Sequence, residues 1–254
     1  MKTKIKVENV SKVYSSFKGA TEYKALDEIS FEIKEGEFVA IMGASGSGKT
    51  SLLNILSGID RATSGTVIID GENIAELKDS KLATFRRQKI GYIFQDFNLL
   101  DSLTMRENVA LPLILDGKDV NFIEKRVDEV MDYLSINDLS AKYQFHVSGG
   151  QKQRVASARA LVNNPAVCFA DEPTGNLDSK SSKQTMEMLA NINQEMNSTI
   201  LMVTHDPYAA SYCNKILFIK DGKVNFVVDR ETGATRTQFF DQILELQSAL
   251  GSED

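Results

Sequence analysis

The segment Gly43–Thr50, with the sequence GASGSGKT, constrains this chain more than any other feature. It follows an apolar run, Phe38–Met42, that is typical of a buried strand, and a helix-compatible segment, Ser51–Leu56, comes directly after it. In this strand–loop–helix context, a G-x-x-x-x-G-K-[ST] sequence indicates a phosphate-binding loop. A flexible linker is the alternative, but linkers rarely end in Gly-Lys-Thr between two apolar segments. The sequence therefore predicts a nucleotide site.

The chemistry of this loop assigns roles to its residues. Glycines let successive backbone N–H groups point at an oxyanion, and the helix start adds the positive end of its dipole. We expect Lys49 to reach the terminal phosphates and the Thr50 hydroxyl to hold Mg²⁺. The residues predicted to bind the nucleotide here are Gly43, Ala44, Ser45, Gly46, Ser47, Gly48, Lys49, Thr50 and Ser51.

Composition narrows the class of protein. The 254 residues are 42% hydrophobic and 25% charged, which is ordinary for a folded chain with one large core, with or without a subdomain. A net charge of −6 does not favour general nucleic-acid binding. No apolar run approaches the ~20 residues of a membrane-spanning helix. We therefore expect a cytoplasmic, soluble chain that needs a separate partner for any work at a membrane.

Cys168 lies in an apolar run and is expected to be a reduced core residue.

The spacing of apolar residues predicts a mainly parallel sheet behind a strand-rich N-terminal segment. Ile29, Phe31 and Ile33 alternate with polar residues, as in a half-buried strand. A helix with the apolar stripe Leu189, Ile192 and Met196 is expected to connect two parallel strands. The other strands are expected at Thr66–Ile69, Lys89–Phe94, Val167–Ala170 and Ile200–Val203, with a hairpin over Lys215–Val228.

Two further segments have helical patterns. Apolar residues recur at helical spacing after possible caps at Asp119 and Asn121. We expect a helical subdomain over about 97–160, inserted between two strands of the core. Residues 229–254 are expected to form a C-terminal amphipathic helical tail, whose apolar residues are Phe239, Phe240, Ile243, Leu244, Leu246 and Leu250.

A second helix N-terminus that could bind a phosphate group is predicted after Val147, at Ser148-Gly149-Gly150-Gln151. Two glycines and a serine at a helix start expose N–H groups and a hydroxyl to an anion. The alternative is a turn with an ordinary N-cap. One nucleotide does not need two such helix starts from one chain. We therefore expect the second start to serve a nucleotide held by another copy.

Polar residues also follow three predicted strands. Asp171 is expected to lie near Mg²⁺, while Glu172 polarises the attacking water, although a solvated carboxylate pair is the alternative. His205 is expected to contact the terminal phosphate, although a lone histidine is more often structural. Gln95 is expected to touch Mg²⁺ or the water, although such an amide is usually only a turn former. Asp178, in the turn after Glu172, could cross to another subunit.

Taken together, these motifs resemble the ATP-binding subunit of ATP-binding-cassette (ABC) transporters over nearly the whole chain. Val147 stands where that family usually has leucine. The matching elements are the Walker A loop Gly43–Thr50, the Q-loop Gln95, the signature Ser148–Gln151, the Walker B pair Asp171 and Glu172, the D-loop Asp178 and the switch His205.

The resemblance implies a fold and a site. The fold is α/β: a P-loop NTPase core with a mainly parallel sheet, an N-terminal antiparallel β subdomain and an inserted α-helical subdomain, over residues 1–228. The ligands are ATP and Mg²⁺, with the metal at Thr50, Gln95 and Asp171. Catalysis falls to Lys49, Glu172 and His205. An aromatic residue stacks on adenine, for which Tyr14 is the better match and Tyr23 the alternative.

The resemblance also implies partners. The Walker A loop, Phe94–Leu100 and Ala170–Asp178 resemble the macrolide-export and lipoprotein-release branch, which remains an alternative. Phe218–Gly222 and Gln238–Ile243 are closer to the ATPases of bacitracin- and lantibiotic-type resistance or sensing. This implies a homodimer around two ATP, bound to one large FtsX-like permease chain with ten spans at the cytoplasmic face of the membrane, and no nucleic acid.

Two other classes compete with a transporter subunit. A soluble ABC protein acting on DNA or ribosomes normally carries a long coiled-coil arm or two cassettes, and the segment between Thr50 and Ser148 is too short for such an arm. A regulatory module would bind ATP without useful turnover, but the presence of Glu172 and His205 does not favour it. The transporter ATPase is therefore the preferred interpretation.

Overall fold

The computed structural model describes residues 2–15 and 22–251, with Leu250 described by its backbone alone. The C-terminal residues 252–254 and the Leu250 side chain, both assigned to the tail, therefore lie outside the described part. The strands are β1 (Thr3–Tyr14), β2 (Tyr23–Lys34), β3 (Phe38–Met42), β4 (Ser64–Ile69), β5 (Glu72–Asn73), β6 (Ile90–Ile93), β7 (Val167–Asp171), β8 (Ile200–Val203), β9 (Lys215–Lys220) and β10 (Lys223–Asp229).

The helices are also numbered in chain order. Short 3₁₀ turns at Ile74–Glu76, Asn137–Leu139 and Gln144–His146 separate some of them. The α-helices are α1 (Lys49–Leu56), α2 (Asp79–Lys89), α3 (Met105–Leu115), α4 (Val120–Tyr133), α5 (Gly149–Leu161), α6 (Ser179–Met196), α7 (Pro207–Ala210) and α8 (Arg236–Gly251).

The strands form two sheets. The antiparallel one has the order β2-β1-β4-β5, and the larger one has the order β10-β9-β3-β8-β7-β6. In the larger sheet all strands run parallel except β10, which pairs antiparallel with β9. The predicted α/β fold, with its mainly parallel sheet and its N-terminal antiparallel strands, is confirmed.

The order of the parallel strands places the predicted site residues at one edge. Val203 of β8 pairs with Ile41 of β3 on one side and with Asp171 of β7 on the other. Because parallel strands end at the same edge of a sheet, the loops that follow β3, β7, β8 and β6 lie side by side. This edge carries the P-loop, Glu172, His205 and Gln95.

The apolar core lies on both faces of the parallel sheet. Residues of β3 alternate between the faces: Phe38 packs with the helical segment, and Val39 packs with α1 and the antiparallel sheet. Ile29, Phe31 and Ile33 of β2 point into the second cluster, as their alternation predicts. Burial from both sides explains why β3 and β8 are continuous apolar runs.

The C-terminal helix α8 belongs to the same core. Phe239 and Ile243 are fully buried, whereas Leu244 is 40% exposed. The Arg236 guanidinium lies 5.0 Å and 4.6 Å from the ring centroids of Tyr208 and Tyr212. These contacts attach α8 to α7, which begins just after the loop that carries His205.

Some sequence-based expectations need correction. Asp119 caps α4 by accepting a hydrogen bond from the Phe122 N–H at 3.0 Å, but Asn121, the other possible cap, lies inside the first turn. Lys89 ends α2 and does not begin the strand. Met196, expected in the apolar stripe of α6, is 38% exposed because it lies in the last turn of the helix.

Candidate nucleotide site

The Lys49 ammonium occupies the P-loop. Lys49 Nζ donates hydrogen bonds to the carbonyl oxygens of Gly43 at 2.9 Å and Ala44 at 2.7 Å. Lys49 is only 8% exposed, and this burial lowers the pKa of its ammonium group. The nearby negative charges of Glu172 and Asp171 partly oppose this by raising the pKa. The ammonium is therefore held inside the loop, beside two carboxylates.

The glycines and the start of α1 fit a phosphate group. Gly46 has φ +81°, and a Cβ placed on it would project into open space, so the loop leaves room there. A Cβ on Gly48 would lie 2.4 Å from the Ala25 carbonyl oxygen, which excludes larger residues. Gly48 also forms the N-cap of α1 and supplies no side-chain hydrogen bond to the helix. The first N–H groups of α1 thus remain available to an anion.

A cavity of about 640 Å³ opens over the P-loop. Its size falls within the range of small-molecule sites. Besides most P-loop residues and Ser51, its lining includes Tyr23, Glu172 and His205. It also includes Ala25 and Gln247, which the motif analysis missed. Ser47 instead lines an adjoining cavity, which shares Gly43–Gly46 with the first, and its buried hydroxyl oxygen has no hydrogen-bond partner among the described residues.

Glu172 and His205 meet at the rim of this cavity. His205 Nδ1 lies 2.9 Å from Glu172 Oε2, and the imidazole is more exposed (68%) than the carboxylate (22%). Glu172 has a left-handed backbone with φ 43°, and its N–H donates to the Val203 carbonyl at 2.9 Å. A strained residue at the end of a strand is a feature found at functional sites.

Asp171 lies deeper than its neighbour. Burial, followed by the charge of Glu172, raises the pKa of Asp171 above its ordinary value. The Tyr92 hydroxyl on β6 forms a hydrogen bond with this carboxylate, and burial followed by the Asp171 charge raises the pKa of Tyr92. Two adjacent carboxylates, both partly buried, favour a cation at this point. Oxygen atoms of Asp171, Thr50 and Gln95 are the kind of donors that Mg²⁺ prefers.

Gln95 lies beside the Walker B turn and does not line the cavity. A Cβ placed on Gly175 would come within 2.9 Å of Gln95 Nε2. Asn176 Nδ2 donates to the Gln95 carbonyl at 3.2 Å and to Asp96 Oδ1 at 2.7 Å. The Q-loop and the turn after Glu172 are thus in direct contact.

The signature residues cap their own helix and lie outside the cavity. Ser148 Oγ accepts from the Gln151 N–H at 3.3 Å, and the Gln151 side chain accepts from the Ser148 N–H at 2.9 Å. A Cβ on Gly150 would lie 3.0 Å from Ser181 Oγ, next to Asp178, which caps α6. None of the described residues that line the cavity belongs to Ser148–Gln151 or is Asp178.

Tyr14 and Tyr23 face each other across β1 and β2. The Tyr14 hydroxyl donates to Asp60 Oδ2 at 2.9 Å and lies 3.3 Å from Ser51 Oγ, while Lys12 Nζ is 4.7 Å from the ring centroid. The Tyr23 hydroxyl donates to the Gly46 carbonyl at 3.2 Å. Tyr23 lines the cavity, whereas Tyr14 lies beside the start of α1.

Comparison with known proteins decides the family. The sequence profile described as "ABC transporter" matches residues 26–175, which is more than half of the chain. The chain belongs to the ABC transporter family. It is 51% identical over 245 residues to the ABC transporter ATP-binding protein YvcR of Bacillus subtilis, covering 96% of this chain and 94% of that protein.

Two other relatives are informative for this ABC ATPase. The bacitracin export ATP-binding protein BceA of Halalkalibacterium halodurans is 43% identical, over 96% of this chain and 95% of that protein. The ATP-binding cassette MJ0796 of Methanocaldococcus jannaschii, solved as a dimer with ADP and phosphate, superposes with a TM-score of 0.80. It is 41% identical, over 89% of this chain and 99% of that one.

Family membership, together with the site, makes this chain the ATP-binding, ATP-hydrolysing component of a transporter. Its ABC ATPase fold is the one that the motifs imply. Within the described ranges, no helix is both long and apolar enough to cross a lipid bilayer.

Proposed function

We propose that this ABC ATPase hydrolyses ATP as a homodimer in which each P-loop faces the signature of a second copy. One observation carries this proposal: the signature helix start, which has the chemistry of a phosphate site, lies outside the cavity of its own chain. Asp178 lies beside it, on the same face. The relative MJ0796, solved as a dimer with ADP and phosphate, supports a dimeric assembly.

Within each pocket the chain's own residues divide the work. Lys49 and the first N–H groups of α1 bind the phosphates and stabilise their developing charge. Glu172 orients the attacking water and takes up its proton, and His205, beside it, contacts the terminal phosphate. Thr50, Asp171 and Gln95 would hold Mg²⁺, which neutralises phosphate charge when bound. Positioning and charge, without a covalent intermediate, account for the rate.

Adenine is proposed to stack on Tyr14, with Tyr23 as the alternative. The Tyr14 hydroxyl donates to Asp60 Oδ2 and lies within hydrogen-bond distance of Ser51 Oγ, so the ring is already oriented before the base arrives. Lys12 lies over one face of the ring, which leaves the other face for a base. A pre-oriented ring loses little entropy on binding.

The transport role is proposed at a finer level from the relatives. The printed name of BceA, a bacitracin export ATP-binding protein, supports a role in peptide-antibiotic resistance or sensing. The partner would be one large FtsX-like permease with ten spans, bound by the helical segment near Gln95 and Leu100 at the cytoplasmic face of the membrane. Lipoprotein release or macrolide export is the second transport role, and a soluble ABC ATPase is the other class.

Purification of the tagged chain from native membranes tests this role. We expect one large permease at a ratio of one to two ATPase chains, released when the Q-loop segment is substituted at Leu100, which is 46% exposed. Recovery of ribosomes or DNA in place of a permease would overturn the transport role. Recovery of a lipoprotein-release complex would replace the antibiotic role with the second one.

A further inference from the structure

An arginine of the signature helix binds the backbone of the Q-loop. Arg159 of α5 donates from Nη2 to the Phe97 carbonyl at 2.7 Å and from Nη1 to the Asn98 carbonyl. Both carbonyl groups lie within three residues of Gln95, which is expected to touch Mg²⁺ or the attacking water. The planar guanidinium fork is suited to binding two acceptors at once.

The Q-loop backbone needs such support. Phe97 has φ 61° and Asn98 has φ 47°, so two successive residues that are not glycine adopt the left-handed conformation. Asparagine tolerates this conformation, but a phenylalanine there is strained. Strain of this kind persists only where surrounding contacts over-determine the backbone. Arg159 supplies two of those contacts, and burial lowers the pKa of Arg159, so its guanidinium is held by these hydrogen bonds in a largely desolvated place.

The same loop also reaches the start of the signature helix. A Cβ placed on Gly149 would lie 4.0 Å from Cζ of the Phe97 ring. Gly149 and Arg159 are separated by about 15 Å along the helix axis, at 1.5 Å per residue. Phe97 therefore has two links to α5: its ring lies near Gly149, and its carbonyl group accepts from the long side chain of Arg159.

We propose that Arg159 is a positioning residue that makes the Q-loop follow the signature helix. When ATP held by a second copy draws Ser148 and α5 towards it, Arg159 moves the Phe97–Asn98 backbone, and with it Gln95 at the chain's own ATP. One chain thus couples two ATP sites. This inference rests on the proposed homodimer, in which Ser148 and Gln95 of one chain face different nucleotides.

A purely structural role for Arg159 would have different consequences. If Arg159 only anchored the helical segment, its substitution would lower stability, ATP affinity and turnover together. If Arg159 is a positioning residue, its substitution should change turnover and the cooperativity between the two ATP sites. ATP affinity should be kept, because Lys49 and α1 bind the phosphates without Arg159.

The test compares two arginine-to-lysine variants, one on α5 and one on α4, in which each guanidinium donates to two backbone carbonyl groups. In Arg159→Lys the charge stays, but a single ammonium cannot replace the two-pronged contact. Arg126→Lys is the matched control, since Arg126 Nε donates to the Val162 carbonyl at 3.0 Å and Nη2 to the Leu161 carbonyl at 3.4 Å, at the far end of α5. Steady-state ATP hydrolysis, the Hill coefficient for ATP, the Mg²⁺ requirement and the melting temperature are measured on the full-length chains.

For Arg159→Lys we expect kcat to fall by about tenfold or more, with KM for ATP within about threefold of the parental value. The Hill coefficient should fall towards 1, and half-maximal activity should need more Mg²⁺. Arg126→Lys should retain the parental values. The proposal is overturned if the two lysine variants have the same kcat and Hill coefficient, or if kcat, ATP affinity and melting temperature of Arg159→Lys fall in parallel.

A second variant alters the loop without substituting any residue of α5. Asn98→Pro cannot adopt φ 47°, so it should reproduce the kinetic pattern of Arg159→Lys. Parental kinetics in Asn98→Pro would contradict the role of the loop conformation. Ser148→Ala distinguishes failure of the proposed homodimer from failure of the coupling. Full turnover in Ser148→Ala would refute the ATP pocket shared by two chains. A loss of turnover in Ser148→Ala, with parental kinetics in Arg159→Lys, would refute only the coupling by Arg159.

Discussion

His205 Nδ1 lies 2.9 Å from Glu172 Oε2, and this contact joins the ends of two neighbouring parallel strands. Glu172 follows β7, and His205 comes two residues after Val203, the last residue of β8. The left-handed backbone of Glu172 turns its side chain towards the cavity, where the two groups meet above the P-loop. In the proposed mechanism, Glu172 as the base for the water and His205 as the contact for the terminal phosphate would act as one unit.

The first prediction follows from that contact. Glu172→Gln should lower kcat by about 100-fold or more, because an amide cannot take up the proton of the water, and ATP binding should persist. His205→Ala should also cause a large loss. Because residues that act as a unit are strongly non-additive, adding His205→Ala to Glu172→Gln should cost less than about threefold more. Steady-state hydrolysis of the four proteins measures this, and fully additive losses would show that the two residues act independently.

A second prediction concerns adenine. Tyr14→Ala should weaken ATP binding by roughly 5- to 150-fold, which corresponds to the ~1–3 kcal/mol of a base stacked on an aromatic ring. Tyr14→Phe keeps the ring and should bind within severalfold of the parental chain, and Tyr23→Ala should change affinity little. Equilibrium binding of a fluorescent ATP analogue gives these values. A large loss in Tyr23→Ala alone would transfer the stacking role to Tyr23.

A third prediction concerns the C-terminal helix. Phe239 is 1% exposed in the core, so Phe239→Ala should lower the free energy of unfolding by about 3–5 kcal/mol. Leu244, on the opposite side of α8 and 40% exposed, is the matched control, and Leu244→Ala should cost less than about 1 kcal/mol. Denaturant unfolding of both variants is the measurement. Equal, small effects would mean that α8 does not pack on the core in solution.

A fourth prediction is the pH dependence of a buried carboxylate. Hydrogen bonds from Gln88, then from Arg87 and Lys118, lower the pKa of Asp116 to about 2. A carboxylate whose folded-state pKa is depressed contributes stability above its unfolded value, and this contribution is lost as the pH falls through the folded value. Asp116→Asn should therefore be less stable than the parental chain at pH 7, and the difference should shrink between about pH 4 and pH 2.

Unfolding of the parental chain, Asp116→Asn and a control measured across this pH range checks the prediction. Asp138 is the control, because it is 71% exposed and lies 4.0 Å from Lys142. Asp138→Asn should have little effect at any pH, as expected of an exposed ion pair. A difference between Asp116→Asn and the parental chain that stays constant down to pH 2 would contradict the assigned role of Asp116.

The sequence predicted the elements whose signal is local. The strand Phe38–Met42 and the strand after Ala166 are continuous apolar runs followed by polar motifs, so their positions could be read directly. The second strand extends one residue beyond the expected Val167–Ala170, to Asp171. The start of α5 was equally clear, since Ser148 and Gln151 form a capping box. Parallel strand order then brought these motifs to one edge, as a βαβ pattern requires.

Features that depend on tertiary contacts were not predictable in this way. In α2 only Leu82 and Phe85 are buried among charged residues, so its apolar pattern is weak. The contact of Tyr92 with Asp171 depends on the register of β6 and β7, and Arg159 looks like an ordinary helix residue in the sequence. Gln247 reaches the cavity only because α8 packs on α7, far along the chain from the P-loop.

The mass of Glu172→Gln in solution with saturating ATP tests the shared pocket most directly. Because this variant should bind ATP without consuming it, light scattering should give twice the 28.1 kDa of one chain, and ATP removal should restore the single-chain mass. Adding Ser148→Arg, which blocks the phosphate-facing helix start, should abolish the doubling. A Glu172→Gln chain that binds ATP yet keeps the mass of a single copy would contradict the claim that two chains complete each site.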